Sequence, residues 1–178
     1  MAGTYVALLR GINVGGKSPV DMRRLATTFE RLGLTGVRTY INSGNILFTS
    51  SDDVHEAPIE AAIAEDFGLE VPVLLRSADD LRRLTDAVPA QWVNDGTMKC
   101  DVFFLWPDVD RPSVLEQVPH RPEIEDVRYF PGAFVRRIDR ASINRSPLTR
   151  IVGSEIYRRL TVRNINTVRK LRAMATGG

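Results

Sequence analysis

The sequence predicts an α+β protein built from two closely packed α/β subdomains, residues 1–76 and 77–178, the first of them ferredoxin-like. Three observations predict it. Residues 5–76 run strand, helix, strand, strand, helix, strand, which is the split βαβ order with an antiparallel sheet. A second series of strands and helices follows Arg76 with no long linker, low-complexity stretch or repeat between the halves. The first strand, YVALL at 5–9, is apolar on both faces, which suits a sheet covered on both sides.

Each element has its own signal. After YVALL comes a glycine-rich loop, then PVDMRRLATTFERLG, where Val20, Leu25, Phe29 and Leu32 form a helical stripe and Gly33 stands at the C-cap. Ser18-Pro19-Val20-Asp21 reads as a capping box, with Ser18 at the N-cap and Asp21 at N3. VRTYI and NILFT flank the turn Asn42-Ser43-Gly44-Asn45 as a hairpin. VHEAPIEAAIAEDFG is a second helix closed by Gly68, and VPVLLR is the fourth strand. In the second half, Ser77-Ala78-Asp79-Asp80 is a capping box for the helix of LRRLTDAV. CDVFFLW is a buried strand, RPSVLEQV a short helix, and DVRYF and AFVRRI a hairpin around Pro131-Gly132. LTRIVGSEIYRRL and NINTVRKLRAM read as helices.

Composition excludes several classes of function. No apolar run reaches the roughly 18 residues of a membrane helix, and the start has neither the basic region nor the apolar length of a secretory leader. The single cysteine, Cys100, rules out an internal disulfide and suits a reducing cytoplasm. The two histidines, His55 and His120, lack partners at metal-ligand spacing, so neither a metal nor a histidine triad is expected, and no cofactor is implied. The net charge of +2 conceals an asymmetry: Arg136 to Arg172 holds eleven basic and two acidic residues, +9 beside −7 for the remainder. Such a window is either an anion-binding surface or a solvated face in an Arg-rich chain.

GINVGGKS at 11–18 matches the phosphate-loop pattern G-x-x-x-x-G-K-[ST] letter for letter. Its context argues against nucleotide hydrolysis. Ser18 is expected at a helix cap and not on Mg²⁺, and the hairpin after the first helix breaks the parallel sheet that such a site needs. The split βαβ order offers another use for the loop. Strands one and two run in the same direction, so the end of the first and the hairpin after the second meet at one sheet edge. That edge would gather Arg10, Asn13, Gly15, Gly16 and Lys17 with Asn42, Ser43, Gly44 and Asn45. Glycines permit an anion-binding nest of backbone N–H groups, although both segments also serve as plain turns.

RGINVGGK, VRTYINSGNILF and TVRNINTVRKL together resemble the three signature blocks of the domain of unknown function sixteen ninety-seven, in the same order over nearly the whole chain. The resemblance implies a two-subdomain α+β protein with ferredoxin-like units in a bacterial cytosol, and it carries no established activity, substrate or cofactor. Ile165 stands where the family commonly shows an aromatic residue, and the position of Ser18 is often not a hydroxyl residue in it. The resemblance adds Arg163, Asn164, Asn166 and Thr167 to the candidate ligand-binding set. Asn164 reads as an N-cap, which puts Arg163 at a helix start favourable to anions or simply docks that helix.

The favoured expectation is therefore a protein that binds a phosphate-bearing partner, either a small molecule or a nucleic acid. An enzyme acting on a phosphorylated metabolite or nucleotide is the first alternative, and a ligand-free structural module the second. For catalysis, Asp21 and Ser43 are candidates by position only, and Cys100 reads as a half-buried hydrophobe and not a nucleophile.

Overall fold

The computed structural model describes residues 1–17 and 19–177. It forms two compact units, Met1–Leu81 with the residues from Leu171 onward, and Arg82–Lys170. Ser18 lies outside the described residues.

In the first unit Gly3–Leu9 (β1) is followed by Met22–Arg31 (α1), Thr35–Tyr40 (β2), Asn45–Ser50 (β3), Glu56–Phe67 (α2) and Val73–Ser77 (β4). The strand order is β2-β3-β1-β4, with every neighbouring pair antiparallel. β1 and β2 therefore point the same way with β3 between them, as the split βαβ order requires, and the parallel sheet of a phosphate-loop hydrolase is ruled out. Val6 to Leu9 are all essentially inaccessible, so both faces of β1 are buried. On one face Phe29 of α1 lies 5.6 Å from Phe48 of β3 and packs with Ile59 and Ile63 of α2. Each such side chain contributes roughly 2–3 kcal/mol by leaving water.

Helix α1 corrects one expectation. Its N-cap is Asp21, whose carboxylate accepts from the Arg24 N–H at 2.9 Å, so the helix begins at Met22 and not at Pro19. The physical reason is Asn13. Its side-chain amide accepts from the Val20 N–H at 2.8 Å and donates to the Val20 carbonyl at 3.1 Å. That claims both backbone groups of Val20 and delays the helix until the next good capping residue. A second correction concerns Ile41, expected to end β2. It leaves the strand at φ +50° and lies in the turn.

The capping box at Ser77 forms as expected. The Asp80 N–H donates to Ser77 Oγ at 3.1 Å and the Ser77 N–H to Asp80 Oδ2 at 2.9 Å, starting Ala78–Ala87 (α3). The second sheet comprises Met98–Leu105 (β5), Glu125–Phe130 (β6), Ala133–Asp139 (β7) and Leu160–Asn164 (β8), ordered β6-β7-β5-β8. Each strand occupies the place of its counterpart four earlier, so the chain carries a topological repeat that its sequence does not display. Short 3₁₀ turns replace α1 and α2. On one face Phe103 and Phe134 stack at 4.5 Å over Val114, Leu148 and Ile156. Beside that cluster Arg136 is buried between Asp101 (3.4 Å) and Glu125 (3.7 Å), its Nε without a partner.

Residues 148–160 do not form the expected helix. They contain 3₁₀ turns at Pro147–Ile151 and Ile156–Arg159, separated by Gly153 at φ +87°. Ser146 starts the first turn by accepting from the Leu148 N–H at 3.1 Å, and the left-handed glycine prevents its continuation. The chain then enters β8, a strand hidden in sequence between two helix-like stretches. Asn164 caps Ile165–Ala175 (α4) by accepting from the Thr167 N–H at 2.9 Å.

Candidate functional site

The expected edge of the first sheet is present. The Leu9 N–H donates to the Gly44 carbonyl and the Arg10 N–H to that of Pro72, both at 2.9 Å, so β1 ends against the hairpin turn and the entry to β4. Asn13 joins the two loops, its Nδ2 donating to the Asn42 carbonyl at 2.8 Å as well as to Val20. Asn13 holds φ +53°, a left-handed conformation that asparagine tolerates. Gly44 lets the turn lie this close. At φ +81°, a Cβ there would stand 2.8 Å from Leu9 Cβ and Ile12 Cδ1. Asn45 is fully buried and donates to the Tyr40 carbonyl at 3.1 Å and to Ser43 Oγ at 2.9 Å, pinning the turn.

The glycine loop is a tight turn at its tip. The Lys17 N–H donates to the Val14 carbonyl at 2.9 Å, Val14 and Lys17 form an antiparallel bridge, and Gly15 and Gly16 both have positive φ. This is the geometry of a two-residue hairpin turn. The Lys17 amide, which a phosphate loop would offer to its ligand, is engaged internally. The Lys17 side chain is exposed and has no ion-pair partner among the described residues. Arg10 is half-buried at the base of the loop.

The third sequence block, as far as Lys170, belongs to the second unit. Arg163 is a buried strand residue of β8 whose guanidinium donates to Thr161 Oγ1 at 3.0 Å and the Val162 carbonyl at 2.8 Å. Burial pushes it down to about 10. Asn164 is the α4 cap, Thr167 provides the capped N–H, and Asn166 donates to the Asn94 carbonyl at 2.7 Å.

The basic window is largely engaged with its own chain. Arg136 holds two carboxylates, Arg137 pairs with Asp139, Arg158 with Glu155, and Arg159 with Asp108. Arg140 donates to the Asp95 carbonyl at 2.6 Å, and Arg169 to those of Trp92 (2.9 Å) and Pro89 (3.3 Å).

The second sheet makes a corner like the first with different side chains, which sequence reading missed. The Leu105 N–H donates to the Gly132 carbonyl and the Trp106 N–H to that of Arg159, both at 3.0 Å. Asp110 Oδ1 accepts from the Gly132 N–H and the Tyr129 hydroxyl, both at 2.9 Å. Arg159 lies over the Trp106 ring and grips Asp108, with a shortest contact of 2.6 Å. Hydrogen bonding to Arg159 holds the Asp108 carboxyl below the usual range. Desolvation and then the Asp110 hydrogen bond push Tyr129 up to about 12. The available signal was Asp108 and Asp110 following an apolar strand, with an arginine just before the last strand.

The residues singled out by position for catalysis have structural contacts. Asp21 is a helix cap, Ser43 Oγ accepts from Asn45, and Cys100 is fully buried, its thiol pushed up to about 12 mainly by desolvation. Among the described residues no group of three or more His, Cys, Asp and Glu is placed to hold a metal, and no helix is long and apolar enough to cross a membrane.

The family model described as "Protein of unknown function (DUF1697)" matches residues 2–135. The chain belongs to this family. No curated protein matches it. The conserved bacterial protein SP0830 from Streptococcus pneumoniae is similar at 31% identity and a TM-score of 0.83, covering 98% of this chain and 99% of that one. That likeness extends through the third block, beyond the family match. An unknown protein from Galdieria sulphuraria aligns over 99% of this chain and 91% of its own at 11% identity, but its TM-score of 0.28 supports no inference.

Proposed function

We propose that this DUF1697 protein binds a small phosphate-bearing anion at the corner formed by residues 10–17 and 41–45 of the first unit. Lys17 carries the reading. It is an exposed cation at the tip of a loop fastened by Asn13 to the neighbouring turn, and it has no ion-pair partner among the described residues. In the corresponding corner of the second unit, Arg159 already holds the Asp108 carboxylate. Arg10 adds positive charge at the base of the loop, and the turn around Asn42 and Ser43 supplies polar groups beside it. Asn13, Gly44 and Asn45 shape the corner through the contacts described above. Arg163, Asn164, Asn166 and Thr167 have internal hydrogen bonds, so the proposed contact set is confined to the first unit. A bacterial cytoplasm is the setting we assign, in keeping with the single buried Cys100 and the streptococcal relative.

The test is thermal unfolding of the full chain with inorganic phosphate and pyrophosphate at low ionic strength. A ligand preferring the folded state raises the melting temperature, and added neutral salt shrinks the rise. Lys17→Ala should weaken binding about tenfold while leaving the ligand-free melting temperature unchanged. Equal shifts in wild type and Lys17→Ala would remove the proposal.

A further inference from the structure

We infer that the anion taken at this corner is a mononucleotide, a phosphate carrying a nucleoside, and not a nucleic-acid strand; this rests on the anion-binding reading above. The first observation is the Val14–Lys17 bridge. Residues directly opposite in an antiparallel bridge project to the same face, with Cβ atoms about 5 Å apart. A phosphate held by Lys17 thus has the apolar side chain of Val14 beside it. Val14 is 64% exposed and Ile41 is 51% exposed. Val14 follows Asn13 and Ile41 precedes Asn42, so the Asn13–Asn42 hydrogen bond sets both apolar residues one position from the same contact.

Backbone strain is the second observation. Among the described residues, Asn13 and Ile41 are the two non-glycine residues with positive φ, +53° and +50°. For a β-branched residue that conformation is strained. The Ile41 side chain is half exposed, so core burial does not offset the cost. Hairpin closure does not demand it either, because the second sheet turns its matching corner with Pro131 and Gly132 alone. The first sheet uses the longer path from Ile41 to Gly44. The larger turn places an aliphatic side chain and a polar rim next to a cation, which fits a ligand with an anionic end and a flat apolar face.

The arginines weigh against a strand. Single-stranded nucleic acid needs a track of available cations and stacking aromatics. Most arginines from Arg136 to Arg169 are committed to carboxylates or backbone carbonyls of their own chain, and Trp92 and Trp106 are already faced by Arg128 and Arg159.

Isothermal titration of the full chain with inorganic phosphate, ribose 5-phosphate, AMP and a short single-stranded oligonucleotide tests this. AMP should bind about tenfold more tightly than ribose 5-phosphate, as expected when two aliphatic side chains lose part of their water contact. Val14→Thr with Ile41→Asn should abolish the preference for AMP over ribose 5-phosphate; asparagine retains the left-handed turn. Should the double variant fold poorly, Val14→Thr alone, at an exposed site, carries the same comparison. Equal affinities for AMP and ribose 5-phosphate in the wild type would overturn the nucleoside inference and leave anion binding standing. Failure of all three small ligands would remove the anion reading itself. An oligonucleotide that binds more tightly than AMP, with a steep salt dependence, would overturn the inference in favour of a strand.

Discussion

In the first unit Leu9 and Arg10 give their N–H groups to Gly44 and Pro72; in the second, Leu105 and Trp106 give theirs to Gly132 and Arg159. The backbone arrangement is the same, and the side chains that occupy it differ in kind. Around the second corner Asp110 serves a tyrosine hydroxyl and a turn N–H, while Asp108 neutralises an arginine that lies over a tryptophan. The first corner is fastened by a neutral amide, Asn13, and keeps its exposed cation at the loop tip. One topology thus appears twice, once with a carboxylate paired to its arginine and once with a lysine that has no ion-pair partner among the described residues. That difference is what the proposed anion binding at the first corner rests on, with Lys17 as its exposed cation.

The largest expected effect tests how closely the first corner is packed. Gly44→Ala combines a positive φ with a Cβ 2.8 Å from two side-chain carbons, so it should cost about 3 kcal/mol in urea unfolding. Gly15→Ala has a positive φ but open space around the new methyl, and should cost about 1 kcal/mol. Equal losses would mean that the turn yields easily and that contact with Leu9 and Ile12 does not fix it.

The two fastenings give the next effect. Asn13→Ala removes three hydrogen bonds and should cost about 2 kcal/mol; Asp110→Ala removes two and should cost somewhat less. A second readout separates them. Tyr129, raised to about 12, contributes stability that is fully present below the ordinary tyrosine value of 10 and is lost as pH rises through 12. Asp110→Ala should therefore bring the last phenol titration of native protein downward and reduce the alkaline loss of stability, whereas Asn13→Ala should change neither. An unaltered phenol titration in Asp110→Ala would detach Tyr129 from the second corner.

The first corner was more legible in the sequence than the second, for physical reasons. Two-sided apolarity in β1, the helix spacing of Leu25 and Phe29, and Gly68 at the end of α2 fixed the element order, and topology alone then brought two loops together. A capping box was visible at Ser77 because its bonds are local. The same logic misplaced the start of α1, because the winning contact is Asn13 to Val20, seven residues apart, and local patterns carry no trace of it. The strand β8 was hidden because five residues with Arg163 and Asn164 at the end give too short an alternation. Asp108 and Arg159 are 51 residues apart, so their pairing belongs to the fold and not to any motif.

That pair supplies the smallest effect and the sharpest control on the comparison. Asp108 and Arg159 are both substantially exposed, so Asp108→Asn should cost less than about 1 kcal/mol near neutral pH. The sign follows from the carboxyl being held below its ordinary value in the folded state. Its contribution is present above the unfolded value near 4 and is lost as pH falls through the folded value, so wild type and Asp108→Asn should converge in stability in acid. High salt at neutral pH should narrow the same gap. Removing this carboxylate also frees Arg159, giving the second corner an exposed cation of its own. If an uncompensated cation at a sheet corner is sufficient for anion binding, Asp108→Asn should gain a second phosphate site in titration. If the fastened glycine loop of the first corner is required as well, the stoichiometry should remain that of wild type. The longer turn and the strain at Ile41 favour the second outcome, and a second site in Asp108→Asn would show that charge alone distinguishes the two corners.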